Sequence, residues 1–313
     1  MKASNSTTYR SMMLFLNSTT SKLQDLQVAT ATGRKMNAAS DNPAGVSPVL
    51  LTRSRMLSAE NHYENNLAAI DRLKAQDTQM AQAENLINRA IELTVSAGNG
   101  TYSSYEREVL ASEIGDLRNS MVSLANGQMD GKYFFAGFND LTPPFVENPA
   151  HAGDPTQPPM LYQGDQGRKQ LEISPSETET VNFTGSAVFL GDEDGDGVTD
   201  PGRVDIFAVM TGIEEALLAD DAAGATAKLG DLNTALEQIS INRSQMGVVA
   251  NRIDRANENI QDMELDLEEV LSRYQDADLI ESITEMTQQE QALQAAMDVT
   301  GRLSKLSILD YLR

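Results

Sequence analysis

The stretch from Met246 to Ala277 constrains the fold most. Stepping by alternate threes and fours, it reads Met246, Val249, Ile253, Ala256, Ile260, Met263, Leu267, Val270, Tyr274 and Ala277, all apolar. An apolar seam sustained over more than four heptads is the pattern of a long helix packed along other helices. Past Asp278 the seam shifts register and resumes as Ile280, Ile283, Met286, Leu293, Met297, Leu303 and Leu306. Such a stutter alters supercoiling, so the helix is expected to run through it.

The other end of the chain matches. Tyr9, Met12, Leu16, Thr19, Leu23 and Leu26 keep the same spacing, more weakly because of the threonine. Leu67, Ile70, Leu73, Met80, Ile87 and Ile91 predict a second helix, and Leu110, Ile114, Leu117, Met121 and Leu124 a third. Eight of the ten prolines fall between Pro143 and Pro201, with Pro43 and Pro48 near the start, so 49–142 and 202–313 are proline-free, as long helices require. At about 1.5 Å per residue, a helix from roughly 50 to 96 is on the order of 70 Å long. The predicted fold is mainly α: an elongated coiled-coil rod of paired N- and C-terminal segments, with a small β-rich domain inserted.

That insert announces itself by composition. Residues 139–159 are rich in Pro, Asn, Asp and Gly and read as a turn-rich loop. Beyond it, 161–162, 169–173, 180–183 and 187–190 read as short strands. Nine of the sixteen Phe and Tyr residues lie between Tyr133 and Phe207, bulk that a small domain needs to build a core. Tyr133, Phe134, Phe135 and Phe138 read as packing between helices and insert. The expected divisions are an N-terminal helix and loop (1–45), the first part of the rod (46–138), the insert (139–205), the second part of the rod (206–275) and a C-terminal helix (276–313).

Composition excludes most chemistry. There is no Cys, so no disulfide, thiolate metal site or Cys nucleophile. The two histidines, His62 and His151, lie far apart in sequence. A net charge of −22 opposes binding to nucleic acid or an anionic membrane surface. The first thirty residues hold no apolar run long enough for a signal peptide, and no run could span a membrane; export without a cleaved signal fits the same pattern. Carboxylates are plentiful, but none sits in a setting typical of a hydrolase, and no G-x-S-x-G motif occurs. The Glu264, Asp266, Glu268 and Glu269 run reads as a solvated helix face, repulsive across an assembly unless bases such as Arg252 or Arg255 meet it.

One segment has the spacing of a metal loop. Asp192, Asp194 and Asp196 occupy positions 1, 3 and 5 of an EF-hand-type calcium loop, with Gly197 at 6 and Asp200 at 9. Position 12, normally a bidentate Glu, is Arg203. Weak calcium binding competes here with a plain solvated acidic turn, and no other cofactor is expected.

Residues 32–45, TGRKMNAASDNPAG, link the first two helices. Gly33 reads as a C-terminal cap, Ser40 or Asp41 as the next N-cap, and Pro43 as the first residue inside that helix. This stretch resembles the conserved N-terminal loop of the bacterial flagellin superfamily, with Met36 where a branched apolar residue is usual. The Asp276-Ala277-Asp278 opening and the Leu306-Ser307-Ile308-Leu309-Asp310-Tyr311-Leu312 ending resemble that superfamily too, most closely its hook-associated branch at the hook–filament junction. Gly127–Gly137 with Pro143-Pro144-Phe145, and Tyr162-Gln163-Gly164-Asp165 with Thr184-Gly185 and Val188-Phe189, favour the same branch.

The resemblance implies a structural adaptor without catalysis, exported to the flagellum outside the cell. It implies a homo-oligomeric ring built through the terminal helices. Its partners would be the preceding hook-associated protein, flagellin and a flagellar export chaperone, with no nucleic acid and no membrane. Tyr9, Met12, Leu16, Leu23, Leu26, Leu293, Met297, Leu303, Leu306 and Leu309 are the expected assembly residues. Arg34, Asn37, Asp41, Asn42 and Gly45 are the expected contact loop. The alternative reading is a flagellin, the filament subunit itself.

Overall fold

A computed structural model describes residues 2–311, with side chains for 7 and 9–302. The elements run α1 (Lys2–Thr32), α2 (Pro43–Ala97), α3 (Ser104–Ala125), β1 (Gln128–Met129), β2 (Lys132–Tyr133), β3 (Phe145–Glu147), β4 (Met160–Tyr162), β5 (Gln170–Ser174) and β6 (Glu177–Thr180). A π-helical turn (Ser186–Leu190) follows, then α4 (Ile206–Leu218), α5 (Ala222–Ala227), α6 (Leu229–Gln275) and α7 (Leu279–Tyr311). The chain divides into a terminal unit, Met1–Ala59 with Asp262–Arg313, and a central unit, Glu60–Gln261. Helices α2 and α6 supply residues to both.

The central unit holds nearly all of the core. Of 38 buried apolar residues among those described, 34 belong to it. On α2 they are Ile70, Leu73, Met80, Ala83, Ile87, Ala90, Leu93 and Ala97, the helical stripe its sequence predicts. They share one cluster with Ile114 and Met121 of α3, Phe207 and Met210 of α4, and Leu232, Ile239, Met246 and Ile253 of α6. Helix α3 begins with a full capping box, in which Ser103 Oγ accepts from the Glu106 N–H and Glu106 accepts from the Ser103 N–H. It then runs alongside α4, where Arg118 bonds Glu214 at 2.6 Å.

The insert does not build a separate β core. Its strands form three two-stranded antiparallel ladders, β1–β2, β3–β4 and β5–β6. The first closes through Asp130 and Gly131, both at positive φ, the turn that suits the twist of a tight hairpin. Ladders this short leave many backbone groups unpaired, and helix side chains pair them. Asn66 Nδ2 donates to Ile173 C=O (3.0 Å), and Gln76 Nε2 to Phe134 C=O (3.1 Å). Gln238 Nε2 donates to Val188 C=O (2.9 Å) while its Oε1 accepts from the Val204 N–H (3.1 Å). Asn126 bonds Phe145 in both directions at 2.9 Å. Phe145 and Phe189 then stack with Phe207 of α4, ring centroids 5.1 and 5.9 Å away. The insert is thus fastened to the helices by buried amides and shared aromatic packing.

Four expectations need correction. Of 180–183, only Thr180 is in a strand; Asn182 takes the ladder's place, accepting from the Lys169 N–H (2.6 Å) and donating to Gly167 C=O (2.7 Å). The run 187–190 is a π-helical turn closed by Gly191 at φ +67°, because Val188 and Phe189 both go into the helical core. The second long helix opens at Pro43, and its cap is Asn42, whose Oδ1 accepts from the Gly45 N–H (3.1 Å); neither Ser40 nor Asp41 caps it. Finally, the long C-terminal helix does not run through Asp278. It stops at Gln275, and Asp278 caps a new helix by accepting from Ile280 and Glu281 N–H (2.9 and 3.1 Å).

Candidate functional site

In the terminal unit, α1 lies alongside α7, and the ends of both are fixed by one small joint. Gly33, at φ +69°, ends α1 in the left-handed conformation that a side chain would resist. The Ala277 N–H donates to Gly33 C=O (2.9 Å), Arg34 forms a β-bridge with Asp276, and the Lys35 N–H donates to Gln275 C=O (2.7 Å). Lys35 Nζ adds a bond to Arg273 C=O (2.7 Å), and Arg53 reaches the Gln275 side chain (3.3 Å). The break between α6 and α7 therefore exists to receive the loop after α1: its backbone groups leave the helix and pair with 33–35 instead.

The loop is organised from within. Asp41 Oδ2 accepts from the Asn37 and Ala38 N–H groups (2.9 and 2.7 Å), and Asn37 Nδ2 donates to Arg34 C=O (2.9 Å). These backbone bonds, Ala38 foremost, hold the Asp41 carboxyl below the usual carboxylate range. Gly45 is buried, and a Cβ there would come within 2.7 Å of the capping Asn42 side chain. Arg34, Asn37 and Asp41 face solvent. The structure thus brings the five residues into one turn at the start of α2, with Arg34, Asn37 and Asp41 exposed, Asn42 partly so and Gly45 buried.

The expected assembly residues divide. Met12, Leu16, Leu23, Leu26 and Leu293 are partly buried, on the faces that α1 and α7 pack. Thr19 is the most buried of the described residues of α1; its hydroxyl bonds Phe15 C=O (2.9 Å), which makes a polar residue tolerable in the seam. Tyr9 and Met297 point outward, at 56% and 53% exposure. The side chains of Leu303, Leu306 and Leu309 lie outside the described residues. On α7 the packed positions are Ser282, Met286, Gln289, Leu293, Ala296 and Thr300, a heptad seam of mostly small or polar residues. Ile280, Ile283 and Met297, expected in that seam, lie on the outer face.

The outcome is a surplus of apolar surface. The terminal unit holds only 4 of the 38 buried apolar residues, yet 15 of the 26 large apolar residues that are exposed among those described. Leu14, Phe15, Leu50, Leu51, Leu57, Leu265, Leu279 and Ile280 are among them, Ile280 at 81%. Patches of this kind mark surfaces meant to be covered. Its charge is also segregated: 1–59 carries seven Lys or Arg against two Asp or Glu, and 262–313 carries four against twelve. Within the chain, Arg252 pairs with Glu179 (2.9 Å), Arg255 bonds Asn251 C=O, and Glu269 of the acidic run on α6 lies 3.6 Å from Arg273.

The acidic loop of the central unit folds around its own carboxylates. Asp192 is buried and accepts from the Gly195 and Gly197 N–H groups (2.7 and 3.1 Å), while Asp200 accepts from the Glu193 N–H (2.8 Å). Carboxylate oxygens of Asp192, Asp194 and Asp196 come within 4.8 Å of one another. Arg203, at the position a calcium loop gives to Glu, pairs with Glu193. The three carboxylates could hold a cation by displacing those N–H bonds; Asp200 is engaged elsewhere. Among the described residues, no helix is long and apolar enough to cross a membrane.

Known proteins account for both halves of this arrangement. Residues 4–140 match the bacterial flagellin N-terminal helical region, and residues 229–312 match the bacterial flagellin C-terminal helical region. The chain belongs to the bacterial flagellin family. It is 24% identical to flagellar hook-associated protein 3 of Escherichia coli over 89% of each chain. It is 22% identical to the Salmonella typhimurium protein of the same name over 98% of each. It is also 22% identical to Bacillus subtilis flagellin, over 93% of this chain and 92% of that one. Its fold is similar to that of the Legionella pneumophila flagellar hook-associated protein-3 (TM-score 0.62, 18% identity, 72% of this chain and 98% of the other). As a flagellin-family protein, the chain is a structural component of the bacterial flagellum and not an enzyme.

Proposed function

We propose that this protein is the adaptor at the hook–filament junction. Its terminal units assemble side by side into a ring, one end face meeting the preceding hook-associated protein and the other seating flagellin. The observation that carries this reading is the imbalance of the terminal unit, with its few buried and many exposed apolar side chains. At about 25 cal/mol per Å² of apolar surface removed from water, covering such residues by neighbouring copies is a strong drive to assembly. The segregated charge fits the same arrangement, since a basic N-terminal arm and an acidic C-terminal arm attract across a subunit boundary. The exposed 34–41 turn is the proposed inter-subunit contact. Export without a cleaved signal, with an export chaperone, completes the proposal. The junction role rests on the hook-associated relatives that match almost end to end.

The experiment places charge on the outer apolar face. Phe15→Glu and Ile280→Glu remove side chains that are exposed in the single chain, so the melting temperature of the purified monomer should hold. Cells carrying either variant should keep hooks, lose filaments and shed filament protein into the medium. Leu141→Glu, equally exposed but in the central unit, should leave filaments attached. Attached filaments in the Phe15→Glu and Ile280→Glu strains would overturn the proposal. The flagellin reading is favoured instead if purified protein polymerises alone into long filaments.

A further inference from the structure

In the central unit, residues 148–159 form a loop between β3 and β4, closed at its base by Asn148, which donates from its N–H to Pro159 C=O (2.9 Å) and from Nδ2 to Pro158 C=O (2.8 Å). The loop borders an open cavity of about 980 Å³, whose far wall includes Thr211, Gly212 and Glu215 of α4. One side chain crosses to that wall. His151 Nδ1 lies 2.7 Å from Gln157 C=O, and a carbonyl can only accept, so Nδ1 carries its hydrogen in either charge state. Neutral His151 must then present a bare lone pair at Nε2. That atom is buried, has no hydrogen-bond partner, and sits 3.6 Å from Glu215 Oε1. In that state both facing atoms are acceptors and cannot bond each other directly. A proton on Nε2 turns this contact into a charge-assisted hydrogen bond.

We propose that His151 and Glu215 form an acid-closed latch, which holds loop 148–159 to α4 when the imidazole is protonated and releases it when the imidazole is neutral. Asp154 on its own loop and Glu215 on α4 lie beside His151, and Asp165, Asp192, Asp205 at the start of α4 and Lys228 before α6 line the same cavity. Asp154 is engaged by Thr156, accepting from its hydroxyl (2.6 Å) and N–H (3.0 Å), Asp192 by glycine N–H groups, and Asp205 by the Phe207 and Ala208 N–H groups. Lys228 is 3.4 Å from Asp231. Asp165 is engaged by the Phe138 and Gly167 N–H groups (both 2.7 Å), which leaves Glu215, its side chain half exposed, to meet the imidazole. Opening and closing the loop in turn controls access to the cavity.

Amide hydrogen exchange of the full chain reads the latch directly. Corrected for intrinsic rates, the 149–157 amides should exchange about tenfold more slowly at pH 5.5 than at pH 7.5, the size expected of one charge-assisted bond. Glu215→Ala should exchange fast at both values. Glu215→Gln should be protected at both, because its amide can donate to the neutral imidazole. Asp205→Asn should keep the wild-type response, which separates the latch from titration of the helix cap. No change in wild type between the two pH values, or a response that survives in Glu215→Ala, would overturn the proposal.

Discussion

Two carboxylates with opposite surroundings give the chain different responses to acid. Asp41 is exposed and accepts two backbone N–H bonds, which lower its affinity for a proton below that of the unfolded chain. Its contribution is present above the ordinary carboxylate range and is lost as pH falls through the depressed value. Asp41→Ala at neutral pH should therefore mimic strong acid, with the Asn37 and Ala38 amides losing protection from exchange. Asp205 is the reverse. It caps α4, but burial pushes its carboxyl up to about 6 in spite of the Ala208 and Phe207 N–H bonds. The folded state binds this proton more tightly than the unfolded one, so stability falls as pH rises from about 4 through about 6. Asp205→Asn keeps an acceptor at the cap and removes the charge. Above pH 6 it should be more stable than wild type, by at most about 3 kcal/mol, and flat across that window in urea titrations.

Among the elements, what the sequence made legible was whatever repeats. The seams of α2, α3 and α6 and the absence of proline from 49–142 and 202–313 place the helices, because periodicity survives any packing partner. The division at 275/276 is legible, but the apolar stutter there suggests a continuous helix, although Asp278-x-x-Glu281 has the spacing of a capping box. The strands were half legible. A ladder of two or three residues has no period to read, and the groups that complete it lie elsewhere, Asn66, Gln76 and Gln238 far away in sequence on helices and Asn126 at the C-cap of α3. The insert should consequently fail without those amides. Gln238→Leu leaves Val188 C=O and both Val204 backbone groups without their partner and should cost about 2–4 kcal/mol in thermal or urea unfolding. Removing the Asp278 cap with alanine should cost about 1 kcal/mol and act on α7, leaving the central unit's melting unchanged. The resemblance singles out the loop after α1; that its residues 33–35 hold the α6–α7 break, through bonds to Ala277 and Gln275, is not legible, since no local pattern encodes a partner over 200 positions away.

At the scale of the whole chain, two units were given different tasks. The central unit buries 34 of the core apolar residues, with a capped α3 and an insert locked by amides, and has what it needs to fold alone. Helices α1 and α7 have Thr19, Ser282 and Ala296 as their buried residues among those described, too little for two helices to be stable by their own packing. Their stability must come from sister molecules. Hydrogen exchange on the purified protein, compared with the same protein in isolated hook–filament structures, tests this most directly. Residues 9–32 and 279–302 should exchange rapidly in the free chain and become protected by several orders of magnitude on assembly, while 70–97 and 232–256 are protected in both. Equal, slow exchange of the terminal helices in the free and assembled states would contradict the account.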